Sequence, residues 1–262
     1  MASTNGFTVW LTGMSGTGKT TLANYIAARL RQVGRNVEVL DEEHVGTSLW
    51  AGATETKEER IVSVRRLGYV ANLLARNNTA VLVAAVSPYK AGRDEARKGS
   101  NRFIEVYVDC PTERLIQRDT TGKYKKALSG EIPNFIGITE PYEPPTSPEV
   151  TVFSDKEPVE ESGLKIFQSL LDLGYVTPED LKVITGKRMK ANPVKKARSA
   201  KEQPAPAPKQ IVAAPQKAAK PAAKARPAAR ASRPAAKPAP AKAAAPAKAA
   251  SSGKASAAKR KR

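Results

Sequence analysis

The 262-residue chain reads as an α/β protein, a parallel five-stranded sheet with helices on both faces, followed by a disordered basic tail. Three observations predict this. Short β-branched runs alternate with helical patterns through the first 186 residues, as expected of strands buried on both sides. The first apolar run ends in Gly13-Met14-Ser15-Gly16-Thr17-Gly18-Lys19-Thr20, a complete G-x-x-x-x-G-K-[ST] loop that opens a helix, so the sheet is expected to be of the P-loop NTPase type. The net charge of +19 is divided unevenly. Residues 1–186 carry 22 Lys and Arg against 24 Asp and Glu, whereas residues 187–262 carry 22 against Glu202 alone.

Strands are expected at Phe7–Leu11, Asn36–Leu40, Thr79–Ala85, Phe103–Val108 and Val150–Phe153, each a short run rich in Val, Ile, Leu or Phe. Helices are expected at Lys19–Gln32, Lys57–Arg76, Lys90–Lys98, Pro111–Arg118 and Pro158–Leu173, with Gly34 and Gly174 as stop signals. The charged stretch Asp119–Pro148, which contains Pro and Gly, is expected to be a structureless lid. Residues 1–186 are long enough for one domain with its own core. Residues 187–262 are built almost wholly of Ala, Lys, Pro, Arg and Ser without an aromatic residue. They bury too little apolar surface to offset the entropy of ordering. Such a polycation suits a polyanion held through phosphate contacts, with nucleic acid the leading partner; a membrane surface and plain solubility are the blander readings. A single cysteine, Cys110, excludes an internal disulfide and fits a reducing compartment. With no apolar run of membrane-spanning length and no leader pattern, the expected location is cytoplasmic.

The chemistry is expected beyond the carboxyl ends of the strands. The amides of Gly13 to Thr20 and the following helix N-terminus would cradle phosphates, with Lys19 on the β and γ phosphates and Thr20 on Mg²⁺. Asp41-Glu42-Glu43 follows the second strand, Val86-Ser87-Pro88-Tyr89-Lys90 the third and Asp109-Cys110-Pro111 the fourth. Acids beside a phosphate loop suit Mg²⁺ organisation and removal of a proton from an attacking hydroxyl, although the same acids could cap a helix or lie in solvent. His44, the only histidine, reads more readily as a solvated loop residue than as a base. Arg114, Arg118, Lys125 and Lys126 fall in or beside the lid, where cations can close over phosphates.

Several separated strings resemble adenylyl-sulfate kinase: Phe7-Thr8-Val9-Trp10-Leu11-Thr12-Gly13, Arg65-Arg66-Leu67-Gly68-Tyr69-Val70-Ala71, and Val83 to Lys90. Phe103 to Pro111, Tyr124-Lys125-Lys126-Ala127, and Phe135-Ile136-Gly137-Ile138 running into Pro141-Tyr142-Glu143-Pro144-Pro145 continue the likeness, which spans residues 6 to 175 and leaves out the tail. The resemblance implies transfer of the ATP γ-phosphoryl group to the 3′-hydroxyl of adenylyl sulfate, a step of sulfate assimilation, with Mg²⁺ and a homodimer. It implies catalytic roles for Lys19, Asp41, Glu43 and Ser87, with Thr20, Asp41 and Glu43 on the metal. ATP would be held by Gly13 to Thr20 and Arg118, and the acceptor by Arg60, Arg65, Val86, Ser87, Lys126 and Phe135. For Ser87 a covalent phosphoserine stage is unnecessary in an in-line transfer, and orientation of the acceptor is the more modest role.

The chain departs from the family pattern on the acceptor side. Glu42 stands for a glycine, Glu43 for an aspartate, Gly46 for an arginine, Glu55 for a phenylalanine and Ser63 for an asparagine, while the donor side is intact. Two alternatives therefore stay open: a P-loop phosphotransferase with another acceptor, and a weakly active nucleotide-binding module tethered to nucleic acid by its tail.

Overall fold

In the computed structural model, residues 5–51, 56–186 and 190–191 are described. Glu55 and, apart from Lys190 and Ala191, the tail expected from residue 187 onward lie outside them. Strands β1 (Phe7–Thr12), β2 (Val37–Asp41), β3 (Ala80–Ala84), β4 (Phe103–Asp109) and β5 (Val150–Phe153) pair in parallel in the order β2-β3-β1-β4-β5. In the central strand, Val9 lies opposite Leu82 on one side and Ile104 on the other. This order puts the end of β1, where the phosphate loop begins, between the ends of β3 and β4.

Alternation along β1 explains the two layers. Phe7, Val9 and Leu11 point to one face, where they pack with α1 (Lys19–Gln32), α7 (Val159–Asp172) and α8 (Pro178–Thr185) through Ile26, Leu30, Phe167, Leu170 and Leu181. Trp10 points to the other, joining Val81, Val83 and Phe103 beneath Val64, Leu67 and Ala71 of α3 (Lys57–Arg76) and Ala96 of α4 (Lys90–Lys98). Helices α3 and α4 cross closely because Gly68 has no side chain: a Cβ there would meet Ala96 Cβ at 2.7 Å. Each buried Leu, Ile, Val or Phe contributes about 1.5–3 kcal/mol, so the two faces together form an ample core.

The expected strands and helices are present to within a residue or so of their bounds, and three further helices appear. Helix α2 (Glu42–Leu49) starts directly at the acid triplet, with Asp41 as its N-cap. Helix α8 has a full capping box between Thr177 and Asp180, Pro178 in its first turn and Gly186 in the left-handed conformation at its end. The expectation of a structureless lid is corrected by α6 (Lys123–Leu128) and by an Ile136 to Glu140 bridge. Helix α5 (Thr112–Arg118) begins one residue later than expected, after Pro111 as N-cap.

Candidate active site

The loop after β1 needs its glycines. Gly13 has φ +155°, and a Cβ on it would stand 2.3 Å from the carbonyl oxygen of Val108 on β4. Gly18, at φ +89°, caps α1 in the left-handed conformation. Lys19 follows at once and is buried, its Nζ donating to the carbonyls of Gly13 at 2.9 Å and Met14 at 2.7 Å. Burial pulls its pKa down to about 8, against the opposing pull of the Glu42, Asp41 and Glu43 carboxylates.

Thr20 Oγ1 donates to Asp41 Oδ2 at 2.6 Å, which joins the phosphate loop to the end of β2. The other Asp41 oxygen accepts the Glu43 N–H at 2.9 Å, so the same carboxylate caps α2. Asp41 thus caps α2 and at the same time touches the first residue after the loop lysine. Glu43 is largely exposed and pairs with Lys123 of α6 at 2.8 Å, and His44 is exposed beside it. Glu42 behaves differently from either neighbour. Its Oε2 crosses to accept the Val86 N–H beyond β3 at 2.6 Å, and burial pushes its carboxyl above the ordinary range despite the Val86 N–H, Lys19 and Arg60.

Lys19, Thr20, Asp41, Glu42 and Glu43 line a cleft of about 370 Å³ bounded by Ser15, Gly16, Gly18 and Thr21 of the loop region, Val86, Leu115 and Arg118, and Asp119 to Thr121 with Lys123 and Tyr124 at the start of the lid. Tyr124 clasps the lid onto the loop by donating its hydroxyl to Ser15 O at 2.7 Å, and its ring meets Phe135 edge-on at 4.9 Å. Phe135 thereby packs into a cluster with Met14 over the phosphate loop. Arg118 lines the cleft while donating to Ser154 O at 3.1 Å.

The acceptor-side expectations divide. Arg60 donates to Asn134 O at 2.9 Å, tying α3 to the lid. Arg65 faces Glu95 on α4 at 3.8 Å on the surface, and Lys126 is exposed on α6; like Arg60 and Phe135, neither is among the residues lining the cleft. Ser87 calls for a correction. It is fully buried, its hydroxyl accepting from Trp10 Nε1 at 3.0 Å and donating to Thr12 Oγ1 at 2.9 Å, so the group expected to orient an acceptor is committed to the core. Val86, the neighbouring residue, is the one that meets the cleft. Gly46 is buried against Trp50, whose indole nitrogen lies 2.9 Å from where a Cβ would be, so an arginine cannot occupy that position with Trp50 in place. Tyr124, Tyr142, Arg93 and the buried role of Glu42 were not anticipated. Tyr142 bonds Thr12 Oγ1 at 2.9 Å and its own pKa is pushed up to about 12 by burial.

Backbone amides at a helix start, a loop lysine, a Thr and Asp pair beside it and a clasped lid are the parts of a P-loop phosphotransferase. The fold and the cleft put the chain in that class. The family model described as Adenylylsulphate kinase matches residues 5–153, and the chain belongs to that family. It is 52% identical over 172 residues to the "Probable bifunctional SAT/APS kinase 2" of Sorangium cellulosum, covering 66% of this chain and 30% of that protein. With the "Adenylyl-sulfate kinase" of Rippkaea orientalis it shares 49% identity over 171 residues, 65% of this chain and 94% of that one. The solved APS kinase of Mycobacterium tuberculosis in complex with AMPPNP and APS superimposes with a TM-score of 0.61 at 35% identity, over 63% of this chain and 98% of that one. The chain is therefore a kinase. No helix among the described residues is long and apolar enough to cross a membrane.

Proposed function

We propose that this chain transfers the γ-phosphoryl group of ATP to the 3′-hydroxyl of adenylyl sulfate, giving 3′-phosphoadenylyl sulfate and ADP. The observation that carries the reading is the 2.6 Å contact between Thr20 Oγ1 and Asp41 Oδ2 beside the Lys19 ammonium. It gathers a hydroxyl, a carboxylate and a cation at one mouth of the cleft. The donor set suits Mg²⁺, which takes hard oxygens and is commonly held by one or two carboxylates together with substrate phosphates and water. Thr20 and Asp41 would hold it, with Glu43 within two residues as a further oxygen donor. No larger cluster of ligating side chains exists among the described residues, and this arrangement needs none. A Mg²⁺ held by these residues would supply charge neutralisation to the bound nucleotide's phosphates.

Within the chain, the loop amides and Lys19 hold the triphosphate tail, and the Tyr124 clasp limits water around the transferring group. In this reading Arg118, which lines the cleft, serves the donor, and Arg60, bonded to Asn134 O, serves the acceptor. Carboxylates at the end of β2 accept the proton of the attacking hydroxyl. Most of the acceleration then comes from positioning and charge, as phosphoryl transfer requires.

The Glu42 carboxylate in the cleft floor favours a second reading, a less anionic hydroxyl acceptor, because it would oppose a phosphosulfate. ADP release by purified full-length protein with ATP and Mg²⁺ separates the two. Stimulation by micromolar adenylyl sulfate supports the first reading, whereas stimulation only by other hydroxyl compounds supports the second. We extend the proposal to a homodimer, to be checked by sedimentation, and to cytoplasmic residence, in keeping with the lone Cys110. The residues from 187 onward, with 22 cations and Glu202, are proposed to bind nucleic acid through phosphates. Deleting residues 187–262 is expected to abolish low-salt retention on DNA without lowering turnover, and equal retention by the truncated chain refutes it.

A further inference from the structure

Arg93 on α4 is 3% exposed, and its guanidinium divides its donors among three segments far apart in sequence. Nε donates to Glu105 Oε1 of β4 at 2.9 Å, one terminal nitrogen to the carbonyl of Ser87 at 2.7 Å and the other to the carbonyl of Glu143 at 2.7 Å. Ser87 belongs to the segment after β3 whose neighbour Val86 borders the cleft, and Glu143 to the segment by which the lid returns to the fold. These two segments are stitched together around Arg93. The Glu143 N–H donates to Pro88 O at 2.8 Å, and the Glu143 carboxylate accepts the Lys90 N–H at 2.8 Å. The guanidinium also lies 5.9 Å from the centre of the Tyr142 ring, and the Tyr142 hydroxyl meets Thr12 directly ahead of the phosphate loop.

Ser87 has φ +37°, a conformation costly to a non-glycine residue that persists only when the surroundings impose it. They do so from both ends. Trp10 and Thr12 hold its hydroxyl, and Arg93 holds its carbonyl. We propose that Arg93 is a positioning residue for the phosphoryl acceptor. By holding the Ser87 and Glu143 carbonyls in one planar fork, it fixes the Val86–Ser87 backbone beside the cleft to the seated lid, so that the acceptor subsite and the lid are set together. A lysine, a single point of charge, cannot serve Glu105 and both carbonyls in that geometry. The inference rests on the reading that a hydroxyl acceptor binds in this cleft.

Arg97 supplies an internal control. It shares the buried ion network, pairing with Glu149 at 2.7 Å and with Glu105 at 3.2 Å, but hydrogen-bonds neither Ser87 nor Glu143. The test compares full-length Arg93→Lys and Arg97→Met with the parent for the KM of adenylyl sulfate, the KM of ATP, the thermal midpoint and the rate of limited proteolysis between residues 119 and 148. Arg93→Lys is expected to raise the acceptor KM by about tenfold or more while leaving the ATP KM within about twofold, and to speed lid cleavage. Arg97→Met is expected to lower the thermal midpoint without either effect. Parallel rises in both KM values for Arg93→Lys, or the same acceptor-specific rise in Arg97→Met, overturns the proposal. If adenylyl sulfate fails to stimulate the parent, the functional reading falls, and lid cleavage still decides the role of Arg93: a rate in Arg93→Lys equal to the parent's refutes it.

Discussion

Lys19 holds its charge at a cost to the fold, and the cost can be worked out. Burial lowers its pKa from 10.5 to about 8, with Glu42, Asp41 and Glu43 pulling the other way. At about 1.4 kcal/mol for each unit, the protonated lysine costs the folded state about 3 kcal/mol below pH 8. Between pH 8 and 10.5 the unfolded chain binds more protons at this position than the folded one, so stability rises with pH through that window and the cost is relieved. Lys19→Met removes the charge together with the two hydrogen bonds to the Gly13 and Met14 carbonyls. Those bonds offset about 1–2 kcal/mol, leaving a net gain of about 1–2 kcal/mol at pH 7. For a domain of this size that corresponds to about 2–8 °C in the thermal midpoint. The same variant is expected to lose about two decades of ATP affinity, since charge-assisted bonds to phosphate are gone. Thermal scans of parent and variant at pH 7 and pH 10, with ATP titrations by calorimetry, make the comparison. A variant less stable than the parent at pH 7, or a stability gap that does not narrow towards pH 10, refutes the reasoning.

Thr20→Val removes the hydroxyl that donates to Asp41; calorimetry is expected to show an affinity for ATP about tenfold weaker with Mg²⁺ present and little changed in EDTA. Glu42→Gln tests the buried carboxyl whose pKa burial has raised. A raised carboxyl pKa means that the fold binds the proton more tightly than the unfolded chain does, so the parent loses stability at this site as pH rises above about 4.5 and Gln does not. The thermal midpoint of Glu42→Gln is accordingly expected to gain on the parent's between pH 4.5 and 7. Tyr124→Phe deletes the hydroxyl clasp on Ser15 O at a cost of about 1 kcal/mol, and limited proteolysis is expected to cut the lid faster without changing the core's thermal midpoint by more than a few degrees.

The parts of this molecule that could be read from sequence are those whose signal lies within a few residues. The short apolar run Phe7–Leu11, the helical pattern in Lys57–Arg76 and the glycines at 34 and 174 announce strands and helices because their signals are local. The phosphate loop is legible for the same reason. Helix α8 was equally open to reading, since Thr177, Pro178, Asp180 and Gly186 are its caps, but its short span gives periodicity little to work on. Helix α2 stayed hidden behind the chemical meaning of its own first residues: Asp41 both caps it and bonds Thr20.

The unread part of the site was decided by partners distant in sequence. Ser87 looked like an active-site hydroxyl because it follows the third strand at the ligand-binding edge and matches a family serine, and only the indole of Trp10, 77 positions earlier, shows that the hydroxyl is already taken. Glu42, substituted for a family glycine, reads from sequence only as one of three acids beside the phosphate loop, yet it crosses 44 positions to the Val86 amide and so becomes part of the cleft floor. Both contacts join residues that the sheet order, not the chain order, makes neighbours: β3 lies between β1 and β2, and the residue after β3 is therefore reached from the ends of both. The backbone of residues 86 and 87 is thus held by Glu42 at one amide and Arg93 at the next carbonyl, and on the proposed reading it is this backbone that would serve the acceptor. On that reading, side chains on the acceptor side can change while the backbone frame beside the cleft is kept.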